Sequence, residues 1–85
     1  MPAMEYMDLT MPHGGPTITA TQQERAVQVW IKGKLSVNRL KDQLVLATGL
    51  EHALVSRAAG RLLQELRGAG HLQWNKHRKL WIQGG

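Results

Sequence analysis

Arg57, Gly60, Arg61 and Gln64 are the residues of this chain whose types and spacing suggest a specific chemistry. They fall together on one side of a helix turning about 100° per residue, with Ala53 beside them. Two guanidinium groups and an amide on a stripe otherwise almost free of bulk are suited to reading base edges or holding phosphates. A solvated face more often mixes Glu and Lys. Gly60 is the odd member, because glycine inside a helix costs about 1 kcal/mol relative to alanine. Either a partner approaches that backbone closely or a neighbouring helix crosses there. The face therefore has two readings: a surface that docks into nucleic acid, or an ordinary surface helix with two arginines. A second basic cluster follows at Lys76, His77, Arg78 and Lys79, where contact with the phosphate backbone is expected rather than base reading.

The first set needs one long helix to hold it. Over residues 53–68, Val55, Ala59, Leu62, Leu63 and Leu66 form the opposite, apolar stripe that a core requires. Upstream, Thr21-Gln22-Gln23-Glu24 reads as a capping box, which starts a first helix carried on by Ala26, Val27, Trp30 and Ile31 and stopped by Gly33. Lys34-Leu35 is expected as a very short strand. Ser36 then caps a second helix, with Val37, Leu40 and Leu44 inward and Asn38, Arg39, Lys41 and Asp42 toward water. Val45, Leu46 and Ala47 prolong the apolar run up to Gly49, so the connection from Leu44 to His52 reads as longer than a tight turn. Gly68 and Gly70 end the third helix as residues free to take positive φ. Leu72–Asn75 and Leu80–Gln83 then flank the basic tip as a β-hairpin, with Leu72 and Trp74 on its inner face and Asn75 tolerating a left-handed turn position. Trp30, Trp74 and Trp81 are expected as core fillers in a chain without phenylalanine, base stacking being the alternative.

Size and charge narrow the class. An 85-residue chain holds one small domain, and such a domain buries only around 60% of its unfolded surface. The net charge is +5, but residues 1–20 contain Glu5 and Asp8 and no Lys or Arg, so the remainder carries eleven basic against four acidic residues, a net +7. That balance favours a polyanionic partner. Pro2, Pro12, Pro16, Gly14 and Gly15 leave no helical or alternating period in residues 1–20, which are expected as a flexible acidic tail, with the folded domain over residues 21–83. Cysteine is absent, which excludes disulfides and thiolate metal sites. No apolar run suffices to span a bilayer and no signal peptide is visible, so a soluble cytoplasmic protein without membrane contact is expected.

The order helix, short strand, helix, turn, helix, glycine and basic-tipped hairpin resembles the winged helix-turn-helix family over residues 21–83. Its most specific element is Leu62-x-x-x-Leu66-x-x-x-Gly70-x-Leu72, two leucines of the third helix leading into the glycine and apolar residue that open the wing. The resemblance implies an α+β fold, a three-helix winged helix-turn-helix with a C-terminal β-hairpin wing. Gly70-His71-Leu72-Gln73 with Leu80-Trp81-Ile82 is also similar to the subgroup that binds left-handed nucleic acid. The asparagine and tyrosine used by that subgroup are replaced here by Gly60 and Gln64, and its wing prolines are missing, so that specificity is not expected.

The remaining polar residues point to no other chemistry. His13, His52, His71 and His77 share no metal-ligand spacing, and no phosphate-cradling glycine loop occurs. His52 and Ser56 stand four apart without an acid placed to orient the histidine. No enzyme activity, cofactor, metal or small-molecule ligand is therefore expected. The expected activity is sequence-specific binding of double-stranded DNA by a small transcriptional regulator of bacterial or phage type, with helix 53–68 in the major groove and residues 76–79 on the backbone or minor groove. The alternatives are a protein-interaction module presenting the first helix or the acidic tail, a homodimer, or a DNA-binding component of replication, partition or packaging. Val29 and Trp30 motivate the interaction module, as apolar residues on helix 1 that exceed what a core covers.

Overall fold

A computed structural model describes residues 6–11, 14–78 and 80–83. Two short strands, β1 (Leu9–Thr10) and β2 (Thr17–Ile18), precede three helices, α1 (Ala20–Trp30), α2 (Val37–Thr48) and α3 (His52–Gly68). The chain closes with β3 (Leu72–Asn75) and β4 (Leu80–Gln83). Three helices followed by an antiparallel hairpin make an α+β layout consistent with a winged helix, and the C-terminal hairpin is its wing. Among the described residues no helix is long and apolar enough to cross a membrane.

The core forms where the apolar stripes meet. α2 packs against both α1 and α3, while α3 also contacts β3. Trp30, Leu40, Leu44, Val55, Leu62 and Leu66 are fully buried, each such side chain contributing about 1.5–3 kcal/mol. Trp30 satisfies its indole N–H on the Ser36 carbonyl at 2.9 Å, which ties the end of α1 to the start of α2.

The N-terminal segment departs from the expected tail. Leu9 and Ile18 are register partners in the β1–β2 pair, so both point to one face, and both are buried in the core. The segment is anchored through polar groups as well. The buried Gln23 amide donates to the carbonyls of Met7 at 2.7 Å and Ile18 at 3.0 Å. The Asp8 carboxylate accepts the Ala20 N–H at 2.7 Å, where the N-terminal end of α1 favours negative charge. One apolar pair across two-residue strands is too short a pattern to show as alternation. The folded unit thus starts before residue 21, while residues 1–5 of the expected tail lie outside the described residues.

The helix ends show further differences. α1 is capped by Thr19, not Thr21: its hydroxyl accepts the Gln22 N–H at 3.2 Å and Gln22 Oε1 accepts the Thr19 N–H at 2.9 Å. Both threonines precede a glutamine or glutamate by three residues, and the burial of Ile18 selects the earlier box. α2 runs to Thr48 and stops at Gly49, whose φ of 74° is left-handed. The connection to α3 is therefore three residues, the tight turn of a helix-turn-helix and not the longer link expected. Lys34-Leu35 forms no strand, although the Leu35 carbonyl accepts the Trp81 N–H of β4 at 3.2 Å.

Arg39 does not simply face water. Its guanidinium donates to the carbonyls of Val29 at 3.1 Å and Lys34 at 3.2 Å, and to that of Trp30. These carbonyls belong to the last turn of α1 and the loop beyond it, where a cation is favoured. Gly33 makes room, because a Cβ there would stand 2.7 Å from the guanidinium carbon.

Candidate nucleic-acid interface

The site is built by the rotation of α3. Val55, Ala58, Ala59, Leu62, Leu63 and Leu66 are buried, which turns Arg57, Gly60, Arg61, Gln64 and Arg67 outward, all of them exposed. The helix ends in a Schellman cap, with the Gly70 N–H on the Arg67 carbonyl at 3.0 Å and the His71 N–H on the Leu66 carbonyl at 2.9 Å. Gly70 alone takes a positive φ there, 82°, while Gly68 remains helical. The cap reverses the chain so that the wing returns alongside α3.

The exposed face divides into two flanks. Arg57 and Arg61, with Ala58, border a hollow of about 350 Å³ closed on its other side by Asp8, Leu9, Thr10 and Met11. Arg61 Nε lies 3.4 Å from Glu65 Oε1 one turn later, an exposed pair worth only about 0.3–0.5 kcal/mol and easily exchanged for a phosphate. Gly60 and Gln64 instead line a groove of about 420 Å³ with Leu63 and Arg67 of α3, Val37 of α2, and Trp74 and Trp81 of the wing. No neighbouring helix crosses at Gly60, since nothing among the described residues lies within 4 Å of where its Cβ would stand.

The wing tip is shaped by Asn75. Its side-chain oxygen accepts the N–H groups of His77 and Arg78, each at 3.0 Å, and holds the turn as an Asx motif. Lys76, His77 and Arg78 are exposed on it. Lys79 lies outside the described residues, as does His13. Arg78 is not brought to the α3 face: it borders a separate hollow of about 410 Å³ with Lys34, Ile31 and Gln83. Arg78 and the polar residues of α3 thus border different hollows, with Trp81 lining both that of Arg78 and that of Gln64 and Arg67.

Trp74 is the larger departure. It stands directly across from Trp81 in the β3–β4 register, with ring centroids 5.4 Å apart in an edge arrangement of 65°. The two indoles share the expected inner face, yet Trp81 is 8% exposed and Trp74 45%. The core reaches the first and stops short of the second. Arg67 therefore lines the groove although its residue type and position had not marked it, whereas Trp74, expected as a core filler with base stacking as the alternative, lines it half exposed. Arg67 follows Gln64 by three and Gly60 by seven positions, so helical spacing could have found it. No sequence signal marks where a core ends beneath a hairpin.

His52 has an acid beside it after all, with Asp42 Oδ1 3.7 Å from its Nε2 in an exposed pair contributed by α2. The Ser56 hydroxyl does not face the imidazole, because it donates to the His52 backbone carbonyl at 2.9 Å. Among the described residues no three His, Asp or Glu side chains converge as a metal site would require. Tyr6, partly buried against the core, has its phenol held above the usual value near 10, chiefly by burial and secondarily by the Glu24 carboxylate. Comparison with protein families, curated proteins and solved structures finds no match to the chain.

Proposed function

We propose that the chain is a winged helix-turn-helix protein that binds double-stranded DNA in a sequence-specific manner, as a small cytoplasmic transcriptional regulator of bacterial or phage type. One observation carries the reading: α3 turns Arg57, Arg61, Gln64 and Arg67 outward on a face whose centre is bare at Gly60. In this reading α3 enters the major groove, where guanidinium and amide groups discriminate base edges. Lys76, His77, Arg78 and Lys79 meet the backbone or minor groove beside it. The test is titration of a random-sequence duplex over a range of salt. Several phosphate contacts give a steep fall of log affinity with log salt, and absence of binding at low ionic strength would sink the proposal.

A second reading, self-association, is favoured by a different surface. Val29 is 43% and Leu46 77% exposed, and they border one groove between α1 and α2 with Ala26 and Ala47. Trp30 plays no part in it, being fully buried. The groove is formed by α1 and α2, so a homodimer through it leaves the α3 face available to span two half-sites. Light scattering on the eluting peak of a gel-filtration column decides the matter: a strict monomer at high concentration excludes the dimer.

A further inference from the structure

Two residues of the groove between α3 and the wing are unexplained by folding. Gly60 sits in mid-helix with ordinary backbone geometry, the positive φ values being at Gly14, Gly49 and Gly70. Nothing among the described residues lies within 4 Å of its absent Cβ, so neither close packing against them nor a turn requires glycine there. Trp74 leaves 45% of its surface exposed beside a partner indole that is nearly buried. Both line the same groove of about 420 Å³, a volume within the range of small-ligand sites. A side chain at position 60 would project from the helix into space that the groove uses. The bare helix and the open indole thus describe one feature, a slot with an aromatic wall.

We infer that this slot takes a single unpaired nucleobase of a DNA strand, stacked on Trp74, with the Gln64 amide at the base edge and the Arg67 guanidinium at the adjoining phosphate. The inference rests on the DNA-binding proposal and deepens it. Charge selects this occupant: among the described residues Arg67 is the only basic or acidic side chain lining the slot, and Arg57 and Arg61 extend the basic face along the same helix. An apolar peptide side chain would gain nothing from that cation. A paired base has both faces covered by its neighbours in the duplex, so only a bulged, extruded or single-stranded base can offer a face to an indole. The protein would accordingly prefer duplexes that carry a bulge or an easily opened step.

The experiment compares the full chain on a labelled paired duplex and on the same duplex with one bulged nucleotide, by fluorescence anisotropy at fixed low salt. Intrinsic tryptophan emission is followed in parallel. The bulged duplex is expected to bind roughly tenfold more tightly, with quenched emission. Trp74→Thr, compatible with a strand but unable to stack, should abolish that preference, and Trp74→Phe should restore part of it, both read as the ratio of bulged to paired affinity at a temperature where each variant is folded by circular dichroism. Equal affinity for the two duplexes overturns the inference and spares the DNA-binding proposal. Failure to bind either overturns both. A preference that survives Trp74→Thr overturns the inference by locating the unpaired base elsewhere. Emission unchanged at saturation overturns it, because a base stacked on Trp74 alters the emission of that indole.

Discussion

Arg57 and Arg61 project from α3 at exposed positions, and among the described residues Arg61 is engaged only by the weak pair with Glu65. Little stability depends on either, so their replacement reports on binding with small interference from folding. On a site chosen by selection from random duplexes, Arg57→Ala or Arg61→Ala is expected to cost about 1–3 kcal/mol, with loss of base discrimination where the contact is bidentate. Lys76→Ala and Arg78→Ala should behave differently, weakening all duplexes alike and flattening the salt slope. Competition titrations against mismatched sites separate the two patterns, and loss of discrimination in the tip variants would contradict this division. Gly60→Ala has open space for its methyl group and should raise stability by about 0.5–1 kcal/mol in thermal melts while reducing DNA affinity. A drop in stability would mean that the helix is packed at that point after all.

Helices were far more legible than their attachments. The stripe Val55, Ala59, Leu62, Leu63 and Leu66 and the bounds of both wing strands follow from periods of 3.6 and 2, because each is a repeating local pattern. The outward face of α3 was legible for the same reason. Contacts made by one residue at long range leave no such pattern, which is why Arg39 was assigned to water and residues 6–20 to a tail. The arginine is a carbonyl plug for the end of α1, using the planar fork that lysine lacks. Arg39→Met should therefore lower stability by about 1–3 kcal/mol in denaturant unfolding, and Arg39→Lys should recover only a fraction of it. A neutral Arg39→Met would mean that water serves these carbonyls equally well. Trp74 was unreadable for a related reason: alternation gives the face of a strand, whereas burial depends on how far the opposing helix extends over it.

The N-terminal hairpin makes the molecule a closed arrangement, with α3 bordered on one flank by β1 and on the other by the wing. Tyr6 brings a titration with it. Its phenol is held above the ordinary value in the folded state, so the unfolded chain loses this proton first as pH rises past about 10. The unfolded state then binds fewer protons, and stability contributed below pH 10 is lost as pH climbs through the folded value. Melting temperatures of the parent chain and Tyr6→Phe should run parallel below pH 9 and diverge above pH 10, with the parent falling faster. Parallel curves throughout would remove the phenol from the account. The wing, by contrast, is held to the helices by Leu72, Trp81 and two hydrogen bonds from β4, the Trp81 N–H to Leu35 and the Gln83 amide to Ile31. Such an element is expected to open at lower cost than the helical core, and Trp74 and the basic tip would then move together. If a strand is held there as proposed, its capture and release would depend on how often the wing opens as well as on the depth of the groove.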